Sequence, residues 1–274
     1  MKKTINVELK DPALTLAAKI VYGQRKAWGE LTYSPLYLSF MRPRSSDRGM
    51  NRPLPLIVWL CGGAFIEMDR NVWIPELVWF ARRGYAVASV DYSTSYRSRY
   101  PENAEDIKLA IRYMRAHAAE FGIDPQRITI MGESAGGYLS AFCALTGKDK
   151  GYDTGGHEDY SSEVQAAVPW YPPTRLTEMD ISPEKLIVPH DIAHYADLTK
   201  LVKPGAPPFL ILHGNSDGLV PLRQGELLYE ALEKERVPVD MYIIEGADHA
   251  DTAFLQTEVK ELIFEFLKKT GVGP

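Results

Sequence analysis

Ser134 sits in Gly132-Glu133-Ser134-Ala135-Gly136, directly after the apolar run Ile128-Thr129-Ile130-Met131 and just before a helical stretch over 138–145. A strand that turns this sharply into a helix needs small residues two before and two after the turning residue, which Gly132 and Gly136 supply. The hydroxyl then stands above a strand end at a helix N-terminus, where backbone dipoles favour developing negative charge. Such a serine becomes a nucleophile only when a base takes its proton and an acid orients that base. His249 is the only histidine after the last predicted strand, 237–244. Asp217, in His213-Gly-Asn-Ser-Asp217-Gly-Leu-Val-Pro221, follows the strand before it. The chain order Ser, Asp, His is that of a nucleophile-elbow enzyme, and the chemistry is acyl transfer through a covalent intermediate.

The competitors are weaker on physical grounds. Gly214-Asn215-Ser216-Asp217-Gly218 also fits Gly-x-Ser-x-Gly after a strand, but Gly218 and Pro221 oppose the immediate helix that an elbow requires. Asp248 adjoins His249 in sequence, and neighbouring side chains rarely point at one another, so it reads as a solvated loop carboxylate. His117 falls on a predicted helix, and His213 at a strand end reads as a structural hydrogen-bonding residue. His157, His190 and His194 lack recognisable zinc-ligand spacing. No metal and no cofactor is expected. Donors for the oxyanion should come from the Ala135 N–H and from the loop Cys61-Gly62-Gly63-Ala64-Phe65 after another predicted strand.

These residues need a scaffold of strand ends. Apolar runs at 54–61, 86–90, 128–131, 164–171, 209–213 and 237–244 read as strands, several without polar alternation, as expected of strands buried on both faces. Between them Ile107, Ala110, Ile111, Met114, Ala118 and Phe121 mark one apolar helix face, and Phe254, Leu262, Ile263, Phe266 and Leu267 mark another. Alternating strands and helices imply an α/β fold with right-handed crossovers and a mostly parallel sheet covered on both faces. Residues 31–40 are expected to pair antiparallel at the sheet edge. The Gly- and Asp-rich stretch 147–162 is expected to be a mobile surface loop. Residues 172–208, rich in proline and with a helix start at Ser182-Pro183-Glu184, are taken as a small cap over the strand ends of a single domain, 1–274.

Composition narrows the partners. A net charge of −5, without a run of Lys or Arg, argues against nucleic acid. No apolar stretch approaches the roughly 20 residues that cross a bilayer, so no membrane association is expected. Glu8, Lys10 and Asp11 interrupt any secretory core after Met-Lys-Lys, and Cys61 and Cys143 lie in apolar contexts that suit a reducing, cytoplasmic compartment. The oligomeric state is not legible.

With these motifs in hand, the chain resembles the esterase and lipase branch of the α/β-hydrolases, the group of hormone-sensitive-lipase-like and bacterial feruloyl and acetyl esterase-like proteins. The likeness runs from Pro53 to Leu267 and takes in Gly62-Gly-Ala-Phe65, Gly84-Tyr-Ala-Val-Ala-Ser-Val-Asp-Tyr92, Gly132-Glu-Ser-Ala-Gly-Gly137, Trp170-Tyr-Pro172 and the segment from His213 to Pro221. It implies an α/β-hydrolase fold, a Ser134-His249-Asp217 triad, and Gly63, Ala64 and Ala135 as oxyanion donors. The chain departs from the family where the usual His-Gly-Gly-Gly is Cys61-Gly62-Gly63-Ala64. Hydrolysis of small-molecule esters with short or aromatic acyl groups is implied, including those on plant polysaccharide fragments, with Phe65, Trp170 and Tyr171 as candidate pocket residues. An amidase or formamidase would use the same residues, whereas a non-catalytic binding module would lack at least one of the three.

Overall fold

The computed structural model describes residues 1–8, 10–26, 31–44, 52–179 and 196–274. Eight strands form one sheet in the order β1-β2-β4-β3-β5-β6-β7-β8. In chain order they are β1 (Leu14–Lys26), β2 (Tyr33–Pro43), β3 (Leu54–Leu60), β4 (Ala86–Val90), β5 (Ile123–Glu133), β6 (Ala166–Trp170), β7 (Phe209–Gly214) and β8 (Val239–Ile244). β3 through β8 run parallel, and β2 is antiparallel to both β1 and β4. The continuous apolar runs are the central strands: every residue of β3, β4, β6 and β7 is buried. The strand at 31–40 has its antiparallel place in β2, but the sheet edge belongs to β1. That strand carries little apolar periodicity, is mostly exposed, and bends at bulges near Lys19 and Tyr22.

Helices α1 (Ile74–Arg82), α2 (Glu102–Ala116), α3 (Ala118–Phe121), α4 (Ala135–Leu145), α5 (Arg223–Lys234) and α6 (Thr257–Lys269) cover the faces. One core lies under α2 and α4, with Ile107, Ile111, Leu139 and Phe142 against Leu56, Val58 and Ile130. The other lies under α1 and α6, with Phe80, Ile263 and Leu267 against Ile57, Trp59 and Leu210. Because β4 and β5 flank β3 on opposite sides, the crossovers diverge there, and such a switch point opens a crevice at the C-terminal strand ends. Among the described residues no helix is long and apolar enough to cross a membrane.

The stretch 147–162 is tied down, not loose. Lys108 and Arg112, both fully buried on α2, reach Asp153 at 3.3 and 3.0 Å, and Ser162 Oγ donates to the same carboxylate at 2.7 Å. Arg115 donates to the Ser161 and Glu163 carbonyls, the latter at 2.7 Å. The helix face that carries Lys108, Arg112 and Arg115 is therefore roofed by this loop. Of the cap segment, Leu176, Leu198 and Val202 enter the core and Arg175 bridges Asp197. The helix start at Ser182, together with His190 and His194, lies outside the described residues.

Candidate active site

The structure brings Ser134, His249 and Asp217 together from the ends of β5, β8 and β7. Ser134 has φ 55° and ψ −120°, a left-handed conformation that a side-chain-bearing residue adopts at a cost of about 1–3 kcal/mol. Its N–H donates to the Trp170 carbonyl at 3.1 Å, which locks the turn onto β6. A Cβ on Gly132 would lie 2.4 Å from the Gly136 carbonyl oxygen, and one on Gly136 would lie 2.2 Å from that of Leu60. Only glycine fits at either place, as the elbow reading requires.

His249 Nε2 lies 2.9 Å from Ser134 Oγ, and Nδ1 lies 2.8 Å from Asp217 Oδ2. A carboxylate accepts only, so the consistent tautomer donates from Nδ1 and accepts the serine hydroxyl at Nε2. The Asp217 side chain is fully buried, and its other oxygen accepts the N–H groups of Leu219 (3.0 Å) and Val220 (2.7 Å). The loops after β7 and β8 are laced together. Ser216 N–H donates to the Ala247 carbonyl at 3.0 Å and Gly246 N–H to Asn215 Oδ1 at 2.7 Å.

The rival residues have other work. Ser216 belongs to this lacing, and the next helix, α5, begins only at Arg223. Asp248 accepts from the N–H groups of Gly218 and His249, and these hold its carboxyl below the usual range. His213 is buried with Nε2 2.9 Å from the Val220 carbonyl, and burial pushes its pKa down despite that contact. His117 and His157 pack edge-on to each other beside Tyr113. Among the described residues no group of three or more His, Cys, Asp or Glu could hold a metal.

The loop after β3 carries three successive left-handed residues, Gly63 (φ 126°), Ala64 (52°) and Phe65 (62°). A Cβ on Gly63 would lie 1.9 Å from the Glu67 carbonyl oxygen, whereas Ala64 carries its methyl outward into solvent. The Gly63 carbonyl is held by the N–H groups of Ile66 (2.9 Å) and Glu67 (3.1 Å), which turns this peptide segment back over the strand ends. Ala135 begins α4 beside Ser134 and is buried.

The three aromatic residues lie deeper than open pocket walls would. Trp170 is 3% exposed, edge-on to Trp59 and stacked on Phe254, and Phe65 packs edge-on to Tyr138. Tyr171 is 2% exposed and packs behind the base, 4.8 Å from the His249 ring and 4.6 Å from Phe254. Their position at strand ends is as expected, but large apolar side chains there fill the space between sheet and helices first.

One residue escaped the sequence reading. Glu133, 6% exposed, turns its carboxylate toward the loop after β3, where it accepts the Gly62 N–H in a very short hydrogen bond and the Trp73 Nε1–H at 3.1 Å. The signal was a carboxylate placed next to the nucleophile in a chain that has cysteine where its family carries histidine at 61.

Fold and site together define an α/β-hydrolase of the esterase and lipase branch. The chain belongs to the BD-FAE family, whose model matches residues 45–232. It is 30% identical over 206 residues to the probable carboxylic ester hydrolase LipM of Mycobacterium tuberculosis, covering 70% of this chain and 48% of that one. The chain spans about half the length of the curated relatives it matches. Among solved structures it is similar to Thermogutta terrifontis esterase 2 phosphoramylated by tabun, with a TM-score of 0.77, 27% identity and 98% of each chain covered. A truncated carbohydrate esterase from gut microbiota shares the fold at a TM-score of 0.79 and 23% identity, over 95% of this chain and 99% of that one.

Proposed function

We propose that this chain is a serine carboxylic ester hydrolase that works through an acyl-enzyme. The observation that carries the reading is the unbroken chain of contacts from Ser134 through His249 to Asp217, at 2.9 and 2.8 Å. In acylation the Ser134 Oγ–H proton passes to His249 Nε2 as Oγ bonds to the ester carbonyl carbon. Charge on the carbonyl oxygen is met by N–H groups of Ala135, Gly63 and Ala64, and the imidazolium returns its proton to the departing alkoxide. Water, activated by the same imidazole, then cleaves the acyl-serine. Relatives named as esterases support this chemistry.

The substrates we infer are small-molecule esters with short or aromatic acyl groups, including acetyl and aromatic esters on plant polysaccharide fragments. Residues 172–208 serve as the cap that sets acyl choice. The bridge between Arg175 and Asp197 pairs the described residues on either side of 180–195, which supports treating the segment as one unit. The test is a screen over 4-nitrophenyl esters of graded acyl length, with acetylated and feruloylated oligosaccharides and a matched anilide. Turnover of esters well above the anilide, with Ser134 labelled by a fluorophosphonate, is expected. Faster anilide turnover would make the chain an amidase, and no labelling at Ser134 would end the acyl-enzyme reading.

A further inference from the structure

Glu133 ends β5 between the elbow glycine and the nucleophile, yet it takes no part in the triad. Four groups surround its carboxylate. Gly62 N–H and Trp73 Nε1–H donate to Oε1, Cys61 Sγ lies 3.7 Å from the same oxygen, and the Tyr171 phenol feels the charge of the carboxylate from the β6 side. Burial pushes the Cys61 thiol up to about 12 and the Tyr171 phenol well above its usual value, so each keeps its proton. A carboxyl group this deep is tolerated only when hydrogen-bond partners surround it. These four come from separate parts of the site: two open the loop after β3, one precedes α1, and one backs the catalytic imidazole.

The fit leaves no slack on the loop side. A Cβ on Gly62 would lie 2.6 Å from Glu133 Oε2 and 2.7 Å from Oε1. The carboxylate cannot retreat from such a contact without leaving buried donors unpaired. We propose that Glu133 is the positioning residue of the oxyanion loop: by gripping the Gly62 peptide it sets the direction of the Gly63 and Ala64 N–H groups that follow. Through Tyr171 the same carboxylate steadies the face against which His249 rests. This inference rests on the acyl-enzyme reading of the site.

The experiment compares Glu133→Gln with the wild-type chain. The neutral amide oxygen is a weaker acceptor than a carboxylate oxygen for the Gly62 and Trp73 N–H groups, and the NH₂ beside it cannot accept, so the grip on the loop weakens. A donor misaimed by less than 1 Å is missed most in the transition state. We expect kcat to fall by about 10- to 100-fold with KM changed less than about threefold. Affinity for a trifluoromethyl ketone, whose adduct with Ser134 places an oxyanion in the loop, should fall by the same factor. Gly62→Ala pushes the carboxylate from the opposite side without altering charge, and should reproduce both effects. If Glu133→Gln does not fold, Gly62→Ala decides alone. Folded variants with wild-type kcat and ketone affinity would overturn the proposal, as would a loss confined to KM. A wild-type chain that neither turns over esters nor labels at Ser134 would instead overturn the function itself.

Discussion

Asp217 and Asp153 are both buried carboxylates facing basic groups, and they sit in very different company. Asp153 is ringed by permanent cations, Lys108, Arg112 and Lys150, with the Ser162 hydroxyl completing the shell. Its negative charge is already neutralised, and nothing around it changes state during a reaction. Asp217 faces two backbone N–H groups and two imidazoles, His249 at 2.8 Å and His213 at 3.7 Å, which carry no charge in their neutral forms. Positive charge arrives there only when His249 takes the serine proton, so the stabilisation that Asp217 offers is greatest in the transition state. In the proposed mechanism the same residue type thus fastens a loop in one region and serves catalysis in the other, according to whether its partner's charge is permanent or transient.

The largest expected effect tests the catalytic side. Ser134→Ala should lower kcat by about 10⁴- to 10⁶-fold, and Asp217→Asn by about 10⁴-fold, because the amide favours the wrong tautomer of His249. Ser216→Ala should stay within about threefold of wild type. Steady-state rates on a 4-nitrophenyl ester, with melting temperature as the control for folding, check all three. Equal losses at Ser134 and Ser216 in folded protein would break the assignment.

The complementary variant is Asp153→Ala. It strands Lys108 and Arg112, which burial already pushes down in pKa, as uncompensated buried cations. Denaturant unfolding should show a loss of about 3–5 kcal/mol, the range for removing one partner of a buried pair. The turnover per folded molecule should remain within about twofold. A variant as stable as wild type but catalytically impaired would reverse the contrast between the two carboxylates.

A smaller effect is expected at Tyr171. Because this residue packs against the His249 ring instead of lining an open pocket, Tyr171→Ala should cut kcat/KM about tenfold through misplacement of the base. The loss should be the same for acetyl and longer acyl esters. A change in the ratio between acyl lengths would restore Tyr171 to the pocket.

The smallest effect is a pH dependence of stability. Burial alone would raise the Asp153 pKa, but the hydrogen bonds from Ser162 and Lys150, with the charges of Lys108 and Arg112, outweigh it and hold the carboxyl below its ordinary value. A folded pKa below the unfolded one, near 3.9, gives stabilisation that is complete above that range and lost as pH falls through the folded value. Asp153→Asn should therefore remove part of the stability decline below about pH 4 seen in wild-type unfolding. Parallel curves for the two proteins would assign the acid sensitivity to other carboxylates.

Much of the site was legible because its requirements are local. The elbow needs glycines at fixed offsets from Ser134, an apolar strand before it and a helix after it, and all of these lie within a short stretch of chain. The buried strands likewise announce themselves by unbroken apolar runs. Two kinds of feature had no such local sign. The edge strand β1 takes its place from pairing with β2, since one exposed face and mixed polarity leave little periodicity to read. The anchoring of 147–162 depends on Arg112 and Lys108 meeting Asp153 some forty residues away, and periodicity on α2 could say only that those side chains pointed away from one core. Glu133 belongs to the same group. The sequence by itself determined which residues could form the triad and in what order. Only the tertiary structure decided that Trp170 packs between Trp59 and Phe254 while Tyr171 fills space behind His249, and that a carboxylate beside Ser134 meets the loop opposite, because these depend on contacts between segments remote in sequence.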